Sequence, residues 1–390
     1  MHARGHGPAQ SWLRFACLYT CSFAALGAYM QFFPAWLHDV QGFDEKDIAI
    51  ILSAQTISRT LAGPLWSGLV DKIRDARGVL VWLAVGSLGS FVLFEWAPSL
   101  LFAWSVSFLF GCFYPPIHPI VDAAAVRTST QHGFSFGRLR VCGSTAFLIT
   151  ILVLGSFLER VGTQKVYPVL VVALAMTVLS AWMLPRARMP RAVAGSDGAD
   201  ISWRQLLRSA PFVVLLVSAG LIQGSHAMFY QLSTVYWNEH GIDKSMAALL
   251  WGEGVVAEIL LLFFARQTLD RLRPTTLLML GGVGAVIRWS TMAATTSLPW
   301  LFATSWLHAL SFAATYIGSI RAIEVRVPQH LRATAQGLVG AATAGGGMVF
   351  CGLVGGFAFD ALQGFAFFFM AGFAAIGVLL AIWLRRVRSA

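Results

Sequence analysis

Apolar runs of about twenty residues, the length that crosses roughly 30 Å of hydrocarbon, recur twelve times along this chain. They begin near Ser11, Ile48, Val79, Leu100, Phe136, Tyr167, Ala210, Met246, Thr275, Leu298, Ala333 and Leu362. With 57% hydrophobic and 12% charged residues over 390 positions, the chain lacks the polar side chains to clothe a soluble domain. The runs predict an all-α membrane protein of twelve transmembrane helices.

The connections are short except for Pro185–Arg208, which holds Arg186, Arg188, Arg191, Asp197, Gly198, Asp200, Arg204 and Arg208. This stretch divides the chain into two halves of six spans. The expected organisation is a cytoplasmic lead over residues 1–10, one six-helix bundle over 11–184, a cytoplasmic linker over 185–208 and a second bundle over 209–390. A cleaved signal peptide fits poorly, because the apolar run after Trp12 continues into Phe32-Phe33, beyond the length of such a segment.

A net charge of +10 raises nucleic acid as a partner, but the basic residues follow alternate loops, as the positive-inside rule requires. Lys72, Arg74, Arg77, Arg127, the linker arginines, Arg266, Arg271, Arg273, Arg326, Arg332, Arg385, Arg386 and Arg388 fall on one side. That side is assigned to the cytoplasm, with both termini, in the cell inner membrane. The opposite loops carry Asp39, Asp44, Glu45, Asp47, Glu159, Glu239, Asp243 and Asp360. Cys17, Cys21, Cys112, Cys142 and Cys351 are odd in number, sit in the spans and have no metal-ligand spacing, so they read as packing thiols. No nucleotide-binding loop, nucleophile elbow or zinc pattern occurs, which argues against ATP-driven transport and hydrolysis.

Five ionisable residues interrupt the apolar runs: Asp122, Arg140, Glu258, Arg288 and His308. A charge in hydrocarbon costs at least ~2.5–3.5 kcal/mol, so such residues face a cavity and mark a pathway. Asp122 and Arg140 lie about nine residues either side of a turn near Gln131, and at ~1.5 Å per residue they reach matched depth and can pair. An arginine in a low-dielectric cavity is a bidentate partner for a carboxylate. Arg140 is therefore the first choice of anchor for an acidic substrate, and Asp122 the residue released on binding, which avoids an unpaired buried charge. The bland alternative is an ion pair that braces two helices.

Glu258 falls near the middle of span eight, with Arg288 and His308 about nine and ten residues either side of the turn at Ser297-Leu298. A carboxylate desolvated in one state and beside an arginine in another can load and release a proton. His308 can relay that proton or hydrogen-bond substrate. The alternatives are a static Glu258–Arg288 pair and a packing histidine. Glu253 is offset from Glu258 by about 140° and does not share its face. Gln223 and His226, one turn apart in span seven, are further site candidates. Tyr29 and Trp251 are the aromatic residues assigned to stack on a ring-bearing substrate; other aromatic residues read as packing or interface anchors. The glycines of span eleven, including Gly345-Gly346-Gly347, read as a close-packing face.

An acid followed by a base recurs at the equivalent loop of each half: Asp71-Lys72-Ile-Arg74 after span two and Asp270-Arg271-Leu-Arg273 after span eight. Such repetition builds many secondary transporters, with substrate held between repeats near the midplane. The first copy resembles the loop signature of the major facilitator superfamily. That resemblance implies two pseudo-symmetric six-helix bundles, with Asp71 and Asp270 capping helix ends and Lys72 and Arg271 pairing across a cytoplasmic gate. Phe136-Gly137-Arg138-Leu139-Arg140-Val-Cys-Gly143 is similar to the same stretch of lactose permease and of the 3-phenylpropionate transporters. Gln223-Gly224-Ser-His226, Gly254-Val-Val-Ala-Glu258, Arg288-Trp289 and Leu307-His308 look like the phenylpropionate permease group.

In the lactose permease resemblance, the acid and arginine at Asp122 and Arg140 hold the substrate. Where that permease has a second acid one turn after the histidine, this chain has Ser311, which moves the proton route onto Glu258, with Asp122 as alternate. The resemblance implies a proton-coupled symporter that imports a small organic substrate, best an aromatic carboxylate such as 3-phenylpropionate. Its energy source is the proton gradient, it needs no cofactor, and one chain suffices. Sugar or nucleoside symport and drug or metabolite efflux are rival expectations within transport. A membrane sensor or intramembrane enzyme is the rival from another class; His118 and Asp122 are the only close couple for the latter, and Pro115, Pro116 and Pro119 interrupt regular helix there.

Overall fold

A computed structural model describes residues 8–73, 75–134, 136–185, 203–264, 271–328 and 331–387, and these are helical almost throughout, with no strand among them. Spans one to three are α1 (Pro8–Asp39), α2 (Glu45–Ile73) and α3 (Ala76–Val92). Span four is α4 (Leu100–Phe113) with α5 (Ile117–His132), and spans five and six are α6 (Phe136–Val161) and α7 (Val166–Trp182). The short α8 (Trp203–Arg208) leads into span seven, made of α9 (Ala210–Gly224) and α10 (Ala227–Glu239). Spans eight and nine are α11 (Lys244–Phe264) and α12 (Pro274–Ala294). Span ten is α13 (Leu298–Ser305) with α14 (Thr315–Arg326), span eleven α15 (Arg332–Gly340) with α16 (Met348–Leu362), and span twelve α17 (Phe367–Arg386).

Every predicted span is thus a helix or a helix pair. Among the described residues, eight stretches are long and apolar enough to cross a membrane, and one of them, Thr334–Arg386, contains two spans. The helices α2, α11 and the α13–α14 pair supply the other three.

The described residues group into two compact units, one within 1–43 and 54–194, the other within 44–53 and 195–390. Their internal packing repeats. In the first unit span one lies on spans five and six, and span three on spans four and six. In the second, span seven lies on spans eleven and twelve, and span nine on spans ten and twelve. Small residues make the closest of these approaches, since helices in lipid gain most where backbones can meet. A Cβ added to Gly224 would stand 2.5 Å from the Gly347 carbonyl oxygen, so spans seven and eleven touch backbone to backbone. In the first unit the equivalent contact is looser: a Cβ on Gly143 would meet the Phe23 ring at 2.9 Å.

A second repeat lies in the loops that precede α2 and α11, Gly42-Phe43-Asp44 and Gly241-Ile242-Asp243. Each glycine takes the left-handed conformation, at φ +74° and +78°, that closes the preceding helix. The apolar residue that follows donates its N–H back to Leu37 O (3.1 Å) or Trp237 O (2.9 Å). Each aspartate then caps the next helix, accepting from Asp47 N–H at 2.7 Å and from Met246 N–H at 2.6 Å. Sequence comparison of the halves at the acid–base loops passes over this pair, because its signal is only a glycine and an aspartate two residues apart.

Four spans depart from a single regular helix. Span four breaks at Tyr114-Pro115-Pro116, where two residues lack the N–H a helix needs. Span seven breaks at Ser225-His226. Spans ten and eleven carry π-helical segments, Ala309–Ala314 and Ala341–Gly347. Such bulges shift the register of side chains and concentrate at functional sites, and three of these four irregularities adjoin the groups described next.

The Ser245 hydroxyl and the Met246 N–H hold the Asp243 carboxyl below the usual carboxylate range. A lowered folded-state pKa contributes stability that is present above the unfolded value and lost as pH falls through the folded one. Asp243→Ala is expected to cost about 1 kcal/mol near neutrality. The gap between wild-type and variant melting temperatures should close on acidification below about pH 4, and a gap that is constant across pH would remove the cap from this account.

Candidate functional site

In the second unit, four spans converge on Arg288. It projects from α12, is 2% exposed, and donates from one terminal nitrogen to His308 Nδ1 at 2.9 Å. An arginine has no acceptor, so Nδ1 is the accepting nitrogen and the neutral imidazole carries its proton on Nε2. That Nε2 points at Glu258, 3.9 Å from the carboxylate oxygen. His308 therefore stands between the guanidinium and the acid. Gly254 lets α11 come this close: a Cβ there would lie 3.2 Å from His308 Cβ, and Glu258 follows one turn later.

The other faces of the guanidinium are aromatic. Its central carbon lies 4.2 Å from the Phe229 ring centre and 4.8 Å from that of Trp289, contacts that favour a desolvated cation. Trp251 stacks on Phe229 at 4.8 Å and donates its indole N–H to Ser233 Oγ at 3.1 Å. Trp289 donates to Ser225 Oγ at 2.8 Å, at the break in span seven. Among the described residues no carboxylate forms an ion pair with Arg288.

His226 sits beside this group, fully buried, with its ring 5.5 Å from that of His308. Its Nδ1 faces the carbonyls of Ile222 (3.2 Å) and Gln223 (3.1 Å) and so carries the proton, which leaves Nε2 to accept from the Ser311 hydroxyl at 2.9 Å. Ser311, one turn after His308 in the π-helical segment of span ten, thus holds a histidine in place. Gln223 donates its amide to Phe312 O at 3.0 Å, while its own oxygen is buried with no partner. Phe312 stacks on His308 at 5.4 Å.

The first unit holds a separate group. Arg140 lies 3.7 Å from Asp122, with side chains 44% and 34% exposed. The Tyr19 hydroxyl donates a short hydrogen bond to the same Asp122 oxygen, and the Arg140 guanidinium lies 4.7 Å from the Phe23 ring centre. His118 packs edge-on against Phe23 at 4.9 Å, and neither of its ring nitrogens has a hydrogen-bond partner. Helix periodicity places Tyr19 and Phe23 on one face of α1, a signal the sequence offered but that points equally to packing.

Of the other expected site residues, Tyr29 is 5% exposed, stacked on Phe33 (4.8 Å) and tilted against Phe110 (5.1 Å), within an aromatic cluster that also holds Phe91. Lys72, in the last turn of α2, and Arg271, three residues before α12, are exposed. Asp270 and the Asp71 side chain lie outside the described residues. Glu253, offset from the Glu258 face, has one buried carboxylate oxygen without a partner.

Twelve helical spans among the described residues, in two units of repeated packing, each with ionisable side chains held inside it, define a multi-pass secondary transporter of the major facilitator type rather than an enzyme. The chain matches the MFS_1 like family over residues 12–371 and belongs to it. It is 27% identical over 365 residues, 92% of this chain and 94% of the relative, to the probable 3-phenylpropionic acid transporter of Escherichia coli (strain K12). It is 26% identical over 382 residues, 96% and 95% of the two chains, to the maltose permease of Geobacillus stearothermophilus. Its fold matches a crystal structure of the nucleoside transporter NupG, with a TM-score of 0.86 at 15% identity over 97% of this chain and 99% of that one.

Removing the Ser311 hydroxyl leaves His226 Nε2 buried and unsatisfied, at a cost of about 1–3 kcal/mol. Ser311→Ala should therefore melt several degrees below wild type in detergent, whereas Ser311→Thr should hold close to it. Equal melting for all three proteins would show that His226 is held by other contacts.

Proposed function

We propose that this transporter is a proton-coupled symporter that imports a small organic acid bearing an aromatic ring, such as 3-phenylpropionate, by alternating access. It works as a single chain in the cell inner membrane, with both termini cytoplasmic and the proton gradient as its energy source. The observation that carries this reading is that each unit holds a guanidinium inside the membrane span and lays it against aromatic rings, Arg140 on Phe23 and Arg288 on Phe229 and Trp289. A guanidinium fixes a carboxylate by two parallel hydrogen bonds, and its aromatic neighbours offer faces to a ring.

Arg140 is already paired, so a substrate carboxylate binds it in exchange for Asp122, which keeps the Tyr19 hydrogen bond when released. Glu258 and His308 are the proton-handling groups, adjoining one another and Arg288. Gln223, with one free amide oxygen, His226 and Trp251 complete the binding set around them. Lys72 and Arg271, with Asp71 and Asp270, are assigned to the cytoplasmic gate on the resemblance of their loops alone.

A sugar is the second reading, favoured by one observation: Asp122, Arg140 and Tyr19 form a clustered set of charged and hydroxyl groups of the kind that binds sugar hydroxyls. The likeness to a maltose permease points the same way. Uptake of labelled 3-phenylpropionate into proteoliposomes with an inward proton gradient separates the two. The aromatic-acid reading expects accumulation in wild type, loss of uptake in Arg140→Gln, and exchange without accumulation in Glu258→Gln. Gradient-driven uptake of maltose or a nucleoside, with none of 3-phenylpropionate, would overturn it.

A further inference from the structure

The two guanidiniums are not equivalent. Arg140 shares an ion pair with Asp122 and is partly exposed, whereas Arg288 is buried with a neutral imidazole and two aromatic faces for company and no carboxylate in ion-pair contact among the described residues. A buried cation whose direct contacts are all neutral lacks its natural partner at close range; the Glu253 carboxylate acts on Arg288 only from beyond ion-pair contact. Its hydrogen bond also has a chemical consequence: while Arg288 donates to His308 Nδ1, that nitrogen's lone pair is occupied and cannot take a proton.

We propose that Arg288 is a carboxylate-binding residue in its own right, and that an anion bound there draws the guanidinium away from His308 Nδ1 and so opens that nitrogen to a proton. This rests on the reading of the protein as a carrier of an aromatic acid. Substrate and proton then load onto adjacent atoms of one buried group. The proton arrives from water and bonds to Nδ1. The resulting imidazolium directs Nδ1–H to the bound carboxylate and Nε2–H to Glu258, while Arg288 keeps its own proton throughout.

Charge balance makes the two events mutually dependent. An anion entering alone adds one negative charge to a desolvated cluster, and a proton entering alone adds one positive charge. Together they add none, so each lowers the cost of the other. The titratable and charged groups that bear directly on His308 are Glu258 from α11, His226 from span seven and Arg288 from α12, and Glu253 and Tyr230 act in turn on Arg288. Of these, His226 has Nδ1 against two carbonyls and Nε2 on Ser311, which leaves it no open lone pair. The nitrogen masked by Arg288 is the proton site the substrate can uncover. The buried amide oxygen of Gln223, whose amide nitrogen bonds the backbone of the same Phe312 that stacks on His308, lacks a partner and is a nearby acceptor for a proton-bearing ligand.

The test is titration of purified full-length protein with 3-phenylpropionate by calorimetry in buffers of different ionisation enthalpy, which gives affinity and protons taken up together. Wild type is expected to bind about one proton per anion. Arg288→Gln should bind about 10- to 100-fold more weakly, the loss of a charge-assisted hydrogen-bond pair, with Arg288→Lys in between. His308→Asn, whose amide oxygen can still accept from Arg288 but which offers no nitrogen to protonate, should take up no proton and bind the anion more weakly than wild type, with an affinity that no longer rises as pH falls.

Arg288→Gln within threefold of wild type would overturn the anchor. Proton uptake that persists in His308→Asn would overturn the coupling and move the proton to Glu258. If Arg288→Gln fails to fold, Arg288→Lys decides the anchor, where affinity equal to wild type would overturn it, and His308→Asn decides the coupling. Wild type that binds maltose or a nucleoside and not 3-phenylpropionate would instead defeat the substrate reading, a result distinct from either failure above.

Discussion

A guanidinium inside a membrane span has to be met by something, and how Arg288 is met organises the second unit. No acid forms an ion pair with it among the described residues, so the surrounding helices supply what neutral groups can: an imidazole lone pair from span ten and the faces of Phe229 and Trp289. Each of these is fixed in turn. Trp289 hangs from Ser225, Phe229 carries Trp251, and His308 is bounded by Glu258 and Phe312. A compact polar network of this kind is favourable only when its members are satisfied. Its two departures, the bare oxygens of Gln223 and Glu253, are therefore the places where a ligand would be felt.

Backbone irregularities let side chains from four helices reach one another. The break at Ser225-His226 and the π-helical segment Ala309–Ala314 bring His226 and Ser311 to hydrogen-bonding distance. The backbone contact between Gly224 and Gly347 holds span seven where that break is useful. A glycine at such a crossing does two things at once: it sets the depth of the helix pair and, by doing so, the register of everything the helix presents. In the first unit Phe23 packs directly on Gly143, whose missing Cβ makes room for its ring, and faces Arg140.

Much of this was legible in the sequence, because hydrocarbon imposes simple rules. Twelve apolar runs became twelve helical spans, and the five ionisable residues that interrupt them became two clusters, Asp122 with Arg140 and Glu258 with Arg288 and His308. Matched depth on either side of a turn was enough to bring each cluster together. What depth does not give is the order of contacts within a cluster. His308 lies between Arg288 and Glu258 immediately before a π-helical segment, and no periodicity announces one. Tyr19 reaches Asp122 from a helix whose sequence reads as uniform packing, and Tyr29, chosen as a ring to stack on substrate, stacks instead within an aromatic core. Ser311 was visible only as the absence of an acid. Its bond to His226 needed the broken geometry of span seven.

The central claim is that buried charge inside this protein is loaded only in compensating sets. One charge moved through the membrane field is worth about 2.3 kcal/mol per 100 mV, so a neutral load leaves a plain signature. Initial rates of 3-phenylpropionate uptake should be measured in proteoliposomes with a fixed proton gradient while the membrane potential is clamped at zero or at about −100 mV. Rates that follow the proton gradient and ignore the potential are the predicted result. Uptake that the potential alone changes severalfold would mean that an uncompensated charge crosses with the substrate, and would contradict this account.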